Sequence, residues 1–95
     1  MSAYLIAMIE VTDWEKYREY TKASSKAVAR YGGRFIVRGG DKITLEGLEE
    51  NRRIVVIEFP SLEQVKTYHE SKEYQEAKQL RQGAATGSFI AVQGA

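Results

Sequence analysis

Residues 3–11 read AYLIAMIEV, and this stretch decides the fold. At the two-residue period of a strand, Leu5, Ala7, Ile9 and Val11 point one way. Tyr4, Ile6 and Met8 point the other, ending at Glu10. A sheet with one wet face alternates apolar with polar residues. This segment does not, so each face needs a cover.

Thr12 and Glu15 fit a capping box that opens a helix, and Asp13 adds negative charge at its positive end. Trp14, Tyr17, Tyr20, Ala23, Ala27, Val28 and Tyr31 recur at three- and four-residue steps and mark one helical face. Gly32 stands where a left-handed cap closes such a helix. Extended pattern follows over Arg34–Arg38. Gly39-Gly40 interrupts it, and it resumes over Lys42–Glu46. The pattern fits one long strand bent by a glycine bulge, or two short strands.

Arg53–Phe59 is the most strand-like stretch, with Val55, Ile57 and Phe59 on one face and Ile54, Val56 and Glu58 on the other. Pro60 ends it, because proline has no N–H for a ladder. Ser61 and Gln64 form a second capping box, opening a helix through Leu62, Val65 and Tyr68. Its register slips near Glu70-Ser71. A further helical piece, which Ser71 could cap, carries Tyr74, Ala77 and Leu80 toward Gly83. Gly87–Gln93 reads as the last strand. No repeat, linker or low-complexity segment divides residues 1–95, so one domain is expected.

The order β-α-β-β-α-β predicts an α+β fold, the ferredoxin-like plait: an antiparallel sheet with two helices on one face. The bare face would carry Tyr4, Ile6, Met8, Ile36, Ile54, Val56 and Phe89. That is more apolar surface than a monomer ordinarily exposes. A second copy is the simplest cover, which predicts a homodimer with a barrel between two facing sheets, a dimeric α+β barrel.

Composition narrows the function classes. The chain of 95 residues has no cysteine and one histidine. Disulfides, thiolate zinc sites and thiol catalysis are thereby excluded, and a metal site within one chain is poorly supplied. A net charge of +1 gives no electrostatic footprint for nucleic acid. The apolar centre of the open face suits burial rather than base stacking. No apolar run approaches the roughly 18 residues of a spanning helix, and no secretory signal pattern opens the chain. Neither a membrane nor a nucleic-acid partner is expected. No G-x-G-x-x-G, Walker loop or G-x-S-x-G elbow is present, so the glycine pairs are backbone devices.

Four segments carry a family resemblance: Tyr31-Gly32-Gly33-Arg34-Phe35-Ile36-Val37-Arg38-Gly39-Gly40, Val56-Ile57-Glu58-Phe59-Pro60-Ser61, Ser71-Lys72-Glu73-Tyr74 and Leu80-Arg81. Together they resemble the family of domains of unknown function numbered 1330, within the dimeric α+β barrel superfamily. The resemblance covers nearly the whole chain. It implies a homodimer of ferredoxin-like subunits in the bacterial cytoplasm, and it implies no particular reaction. Related families include cofactor-independent monooxygenases, muconolactone isomerases and haem-handling enzymes. The chain departs from the haem-handling group in offering only His69 as an imidazole ligand. It also carries Lys72 where family members commonly have proline, which leaves the start of the last helix less rigid.

Two constellations could carry chemistry. The first is the charged set expected on the open sheet face: Glu10, Arg34, Arg38, Glu58 and Glu46. Charges on a buried apolar face must be paired, hydrated or used. Pairing would fix register within the chain or across a dimer. Alternatively, Arg38, with Arg34, would bind a carboxylate or enolate oxygen while Glu58 moves a proton, its pKa raised by an apolar cavity. The second is Tyr68, His69, Ser71 and Tyr74 at the helix break, where His69 can exchange a proton near neutrality and the phenols can hydrogen-bond a small oxygenated ligand. Against this, Tyr74 reads equally as a core aromatic and His69 as a surface residue, and Arg81 as a surface or interface cation. The stripe of Tyr17, Tyr20 and Tyr31 with Trp14 reads as packing or dimer contact.

The expected function is binding of a small oxygenated organic molecule by a homodimer, with no cofactor. If catalytic, the class would be a cofactor-independent isomerase, lyase or monooxygenase. The alternative is a non-catalytic binding or structural dimer. Whether it is an enzyme stays open in the sequence.

Overall fold

A computed structural model describes residues 1–95. Seven elements follow in order: β1 (Ala3–Val11), α1 (Trp14–Arg30), β2 (Arg34–Arg38), β3 (Arg53–Phe59), α2 (Leu62–Glu70), α3 (Lys72–Leu80) and β4 (Ala85–Gln93). The strands form one antiparallel sheet in the order β2-β3-β1-β4. This is the α+β ferredoxin-like plait, with its second helix broken into α2 and α3. The molecule is a two-layer slab of 34 × 32 × 16 Å.

The core lies between the helices and one face of the sheet. Leu5, Ala7 and Ile9 of β1 and Val55, Ile57 and Phe59 of β3 meet Tyr17, Tyr20, Val28, Val65, Tyr68 and Tyr74 there. Tyr17 and Tyr20 are thus packing residues, whereas Trp14 is half exposed at the surface. Gly33 shows how tight this layer is. A Cβ there would fall 2.7 Å from the Phe59 ring and 2.9 Å from Val28, so only glycine fits.

Local chemistry sets the helix boundaries. The cap of α1 is Asp13, not Thr12: its carboxylate accepts from the Lys16 N–H at 3.1 Å. Thr12 instead extends the pairing of β1 with β4, and its N–H and hydroxyl both donate to the Ala84 carbonyl. Gly32 has φ +81° and closes α1 as the sequence indicates. Ser61 caps α2 as expected, but Gln64 does not complete the reciprocal box: its amide donates to the Tyr31 carbonyl at 2.8 Å and ties α2 to the end of α1. Ser71 caps α3, accepting from the Tyr74 N–H at 3.1 Å while donating to the Tyr68 carbonyl.

Four sheet expectations are corrected. Lys42–Glu46 forms no strand: β3 begins only at Arg53 and is already matched by β2 up to Arg38, so the chain beyond Gly39 has no partner strand in line with it. The bulge lies at Ile36, between Phe35 opposite Ile57 and Val37 opposite Val56, and not at Gly39-Gly40. One extra residue reverses the facing of all that follow it. Phe89 pairs with Ala7, so it lies on the helix side, and the open face gains Ile90 opposite Ile6 and Val92 opposite Tyr4. The last strand also begins two residues earlier than expected, at Ala85.

Candidate functional site

The helix break and the β4 edge together build a groove. Ser61 launches α2 so that Leu62, Lys66 and His69, at helical steps of four and three, lie along one flank. Leu5 of β1 and Phe89, Ile90 and Ala91 of β4 form the other, with Val65 between and Glu63 and Glu70 completing the lining. The groove encloses about 450 Å³. That volume, with mostly apolar walls and a few polar groups, matches small-molecule sites, which span roughly 300–1,000 Å³.

His69 is the half-buried titratable group of this groove. Its ring lies 5.1 Å from that of Tyr74 at an angle of 33°. Burial, helped by the charges of Lys78 and Arg81 and opposed by Glu70, holds its pKa below the ordinary 6.5. The imidazole is therefore neutral at pH 7 and free to accept a proton.

Behind His69 lies a cluster of phenols. The Tyr74 and Tyr20 hydroxyls share a hydrogen bond of 3.1 Å, and the Tyr68 ring is 4.9 Å from that of Tyr74. Burial raises the pKa of Tyr20 and Tyr68, so both phenols keep their protons. Burial also raises Tyr17, against the pull of Arg53. These four tyrosines and Arg38 border an interior cavity of about 30 Å³, room for a water rather than a ligand. Arg81 stacks over Phe89 at 4.7 Å and over Tyr20 at 5.5 Å, within cation–π range. Its Nε is buried without a hydrogen-bond partner.

The structure scatters the residues singled out in the sequence. His69 lines the groove, and Tyr68 and Tyr74 lie in the core behind it. Glu58 and Arg34 lie on the open sheet face, joined by a 2.6 Å hydrogen bond from Arg34 Nε to Glu58 Oε1. Tyr4 donates to the other oxygen at 3.4 Å. Glu58 was expected to have a raised pKa; it is lowered instead, first by the Arg34 hydrogen bond and then by Ser2. Arg38 is corrected from the open face to the helix side by the bulge at Ile36. Its guanidinium lies 4.0 Å over the Phe35 ring and donates to Ser25 Oγ at 2.6 Å. Arg38 and Glu58 therefore share no site. Glu10 is exposed near the end of β1, and Glu46 is exposed in the segment between β2 and β3.

Sequence reasoning missed Lys66, Phe89 and the inward part of Arg81. The signal for Phe89 was the pairing of β4 with β1, which a lone strand pattern does not contain. No three His, Asp or Glu side chains converge as a metal site would require.

Residues 2–95 match the domain of unknown function DUF1330. The chain belongs to the DUF1330 family. No curated protein matches it in sequence. Among solved structures, this DUF1330 chain is similar to a protein of unknown function from Rhodopseudomonas palustris, at 21% identity and TM-score 0.79 over 99% of this chain and 82% of that one. SnoaB, a cofactor-independent oxygenase from Streptomyces nogalater, aligns at 8% identity and TM-score 0.71, covering 99% and 93% of the two chains. A dimeric protein of unknown function with a ferredoxin-like fold, from Bacteroides fragilis, aligns at 14% identity and TM-score 0.59, covering 98% and 96%. At these identities the likeness shows a shared fold. No helix of the chain is long and apolar enough to cross a membrane.

Proposed function

We propose that this DUF1330 chain acts as a homodimer in the bacterial cytoplasm and binds a small, partly apolar, oxygenated organic molecule in the α2–β4 groove. The observation that carries the reading is the groove itself: about 450 Å³, apolar walls, and a half-buried neutral imidazole. Leu5, Leu62 and Phe89 would hold a ring or short alkyl body. The Lys66 ammonium would hold a carboxylate or enolate oxygen. His69, three residues further along the same helix, would take a proton from an acidic O–H or C–H of the bound molecule. Tyr74 would position the imidazole through their stacked rings. Such a site needs no cofactor, which suits isomerase, lyase or oxygenase chemistry. The cofactor-independent oxygenase SnoaB supports the fold's capacity for this, while the groove supports the ligand class.

The open-face charges are assigned differently. Glu58 is held ionised by Arg34, so the pair fits a register-fixing role rather than proton transfer. The homodimer is supported by the apolar open face, where Ile36, Ile90 and Val92 are each about half exposed.

The test is a panel of small aromatic and enolisable carboxylates, followed by amide chemical shifts of the labelled protein. A ligand should shift Lys66, His69 and Phe89 together. Lys66→Ala should weaken it at least tenfold. His69→Ala should abolish exchange of the ligand's acidic C–H in heavy water while leaving affinity within about threefold. A panel that shifts no groove residue overturns the reading.

A further inference from the structure

The segment joining β2 to β3, Gly39–Arg52, carries three of the most exposed large apolar side chains in the molecule. Ile43 is 81% exposed, Leu45 83% and Leu48 97%. The segment lies beyond the end of the sheet, where Ile9 pairs with Arg53. It forms no helix or strand, and side-chain hydrogen bonds tie Thr44, Glu50 and Arg52 together. The Glu50 N–H donates to Thr44 Oγ1 at 3.0 Å, and Arg52 returns to Glu50 through both its N–H and its guanidinium. Arg52 also reaches Met8 Sδ at 3.7 Å, which joins the base of this arm to the open sheet face. Glu50 is held as a carboxylate, its pKa lowered to about 2, first by the Arg52 hydrogen bonds.

We propose that this arm is a clasp that seats Ile43, Leu45 and Leu48 on a second copy of the chain. It rests on the homodimer reading above and goes beyond it. Four strands about 4.8 Å apart and roughly seven paired residues long give a flat face on the order of 400 Å². A stable interface needs about 800 Å² from each partner. The flat footprint of the sheet face lies below that accessible area, and the arm, tied to the open face by the Arg52–Met8 contact, adds three exposed apolar side chains. The arm's charges argue against a lipid surface: four acidic side chains outnumber Lys42 and Arg52, so anionic headgroups repel it.

Sedimentation equilibrium of the full chain tests the clasp. The wild-type chain should be a dimer at micromolar concentration. The triple variant Ile43→Ser, Leu45→Ser, Leu48→Ser should keep its far-UV spectrum and dissociate at least 100-fold more readily. Leu48→Ser alone, at a side chain that touches almost nothing, should raise the dissociation constant about tenfold with no loss of fold. If Val56→Arg on the open face disperses the dimer while the triple variant stays dimeric within threefold, the clasp fails and the homodimer stands. A monomeric wild-type chain overturns both. Pelleting of the wild-type chain with phosphatidylglycerol vesicles would name a membrane as the occupant and overturn the clasp.

Discussion

The two faces of the sheet carry apolar residues from the same strands, alternating in β1 and β3, yet they end in different environments. Ile57 and Phe59 are buried under the helices. Val56, between those two positions in β3's alternation, lies on the open face beside Ile6 and Val37. The chain covers one face with its own α1, α2 and α3. It brackets the other with ion pairs, Arg34–Glu58 near one end and Arg52–Glu50 near the opposite end, and leaves the centre apolar. Folding stability should therefore reside on the helix side, and association on the open side.

The largest test of that division exchanges the two faces. Phe59→Ala removes an almost fully buried ring from between Gly33 and Tyr68 and should cost about 3–5 kcal/mol in urea denaturation. Val56→Arg, at a half-buried position on the open face, should cost about 1 kcal/mol of monomer stability. Equal losses of stability in the two variants would break the comparison.

A middle-sized effect probes the helix side alone. Ser71→Ala leaves the buried Tyr74 N–H without its acceptor and should cost about 1–2 kcal/mol. Because Ser71 is remote from the open face, the dimer dissociation constant should not move beyond what the lost stability explains. A selective loss of the dimer would show that the two faces are coupled.

How much of this was legible beforehand follows the same division. Periods and caps are local, so β1, β3, the break at Ser71 and the two-sided apolar strands could be read from spacing. Facing in β2 and β4 is not local. A single bulged residue, Ile36, turned Arg38 away from Glu58 and dissolved the site built on that pair. The position of Phe89 depended on which residue of β1 it pairs with, and the sequence of β4 alone carries no such term. His69 could be named from its chemistry, but the groove around it needed the register of a strand that follows it by about twenty residues. The fold was therefore readable and the site only partly so. Periodicity survives a one-residue error, whereas a constellation of side chains does not.

The smallest expected effect separates the faces by pH. His69 has a folded pKa below its ordinary 6.5, with burial as the main cause. Protonation is disfavoured in the native state, so the unfolded chain binds more protons just below pH 6.5. Stability is full above that value, falls as pH drops through 6.5, and levels off once pH is below the folded pKa. On the open face the sign leads to a different window. Glu58 has a folded pKa below 4.5, so its contribution is present above 4.5 and is lost only as pH falls further, through the folded value. Urea midpoints measured from pH 7.5 to 5 should therefore show a shallow decline, and His69→Asn should flatten it. Glu58→Gln should leave that decline intact and alter only the curve below pH 4.5. If Glu58→Gln instead removes the slope between pH 7 and 5, the titrating group lies on the open face and the assignment of neutral-range chemistry to the groove is wrong.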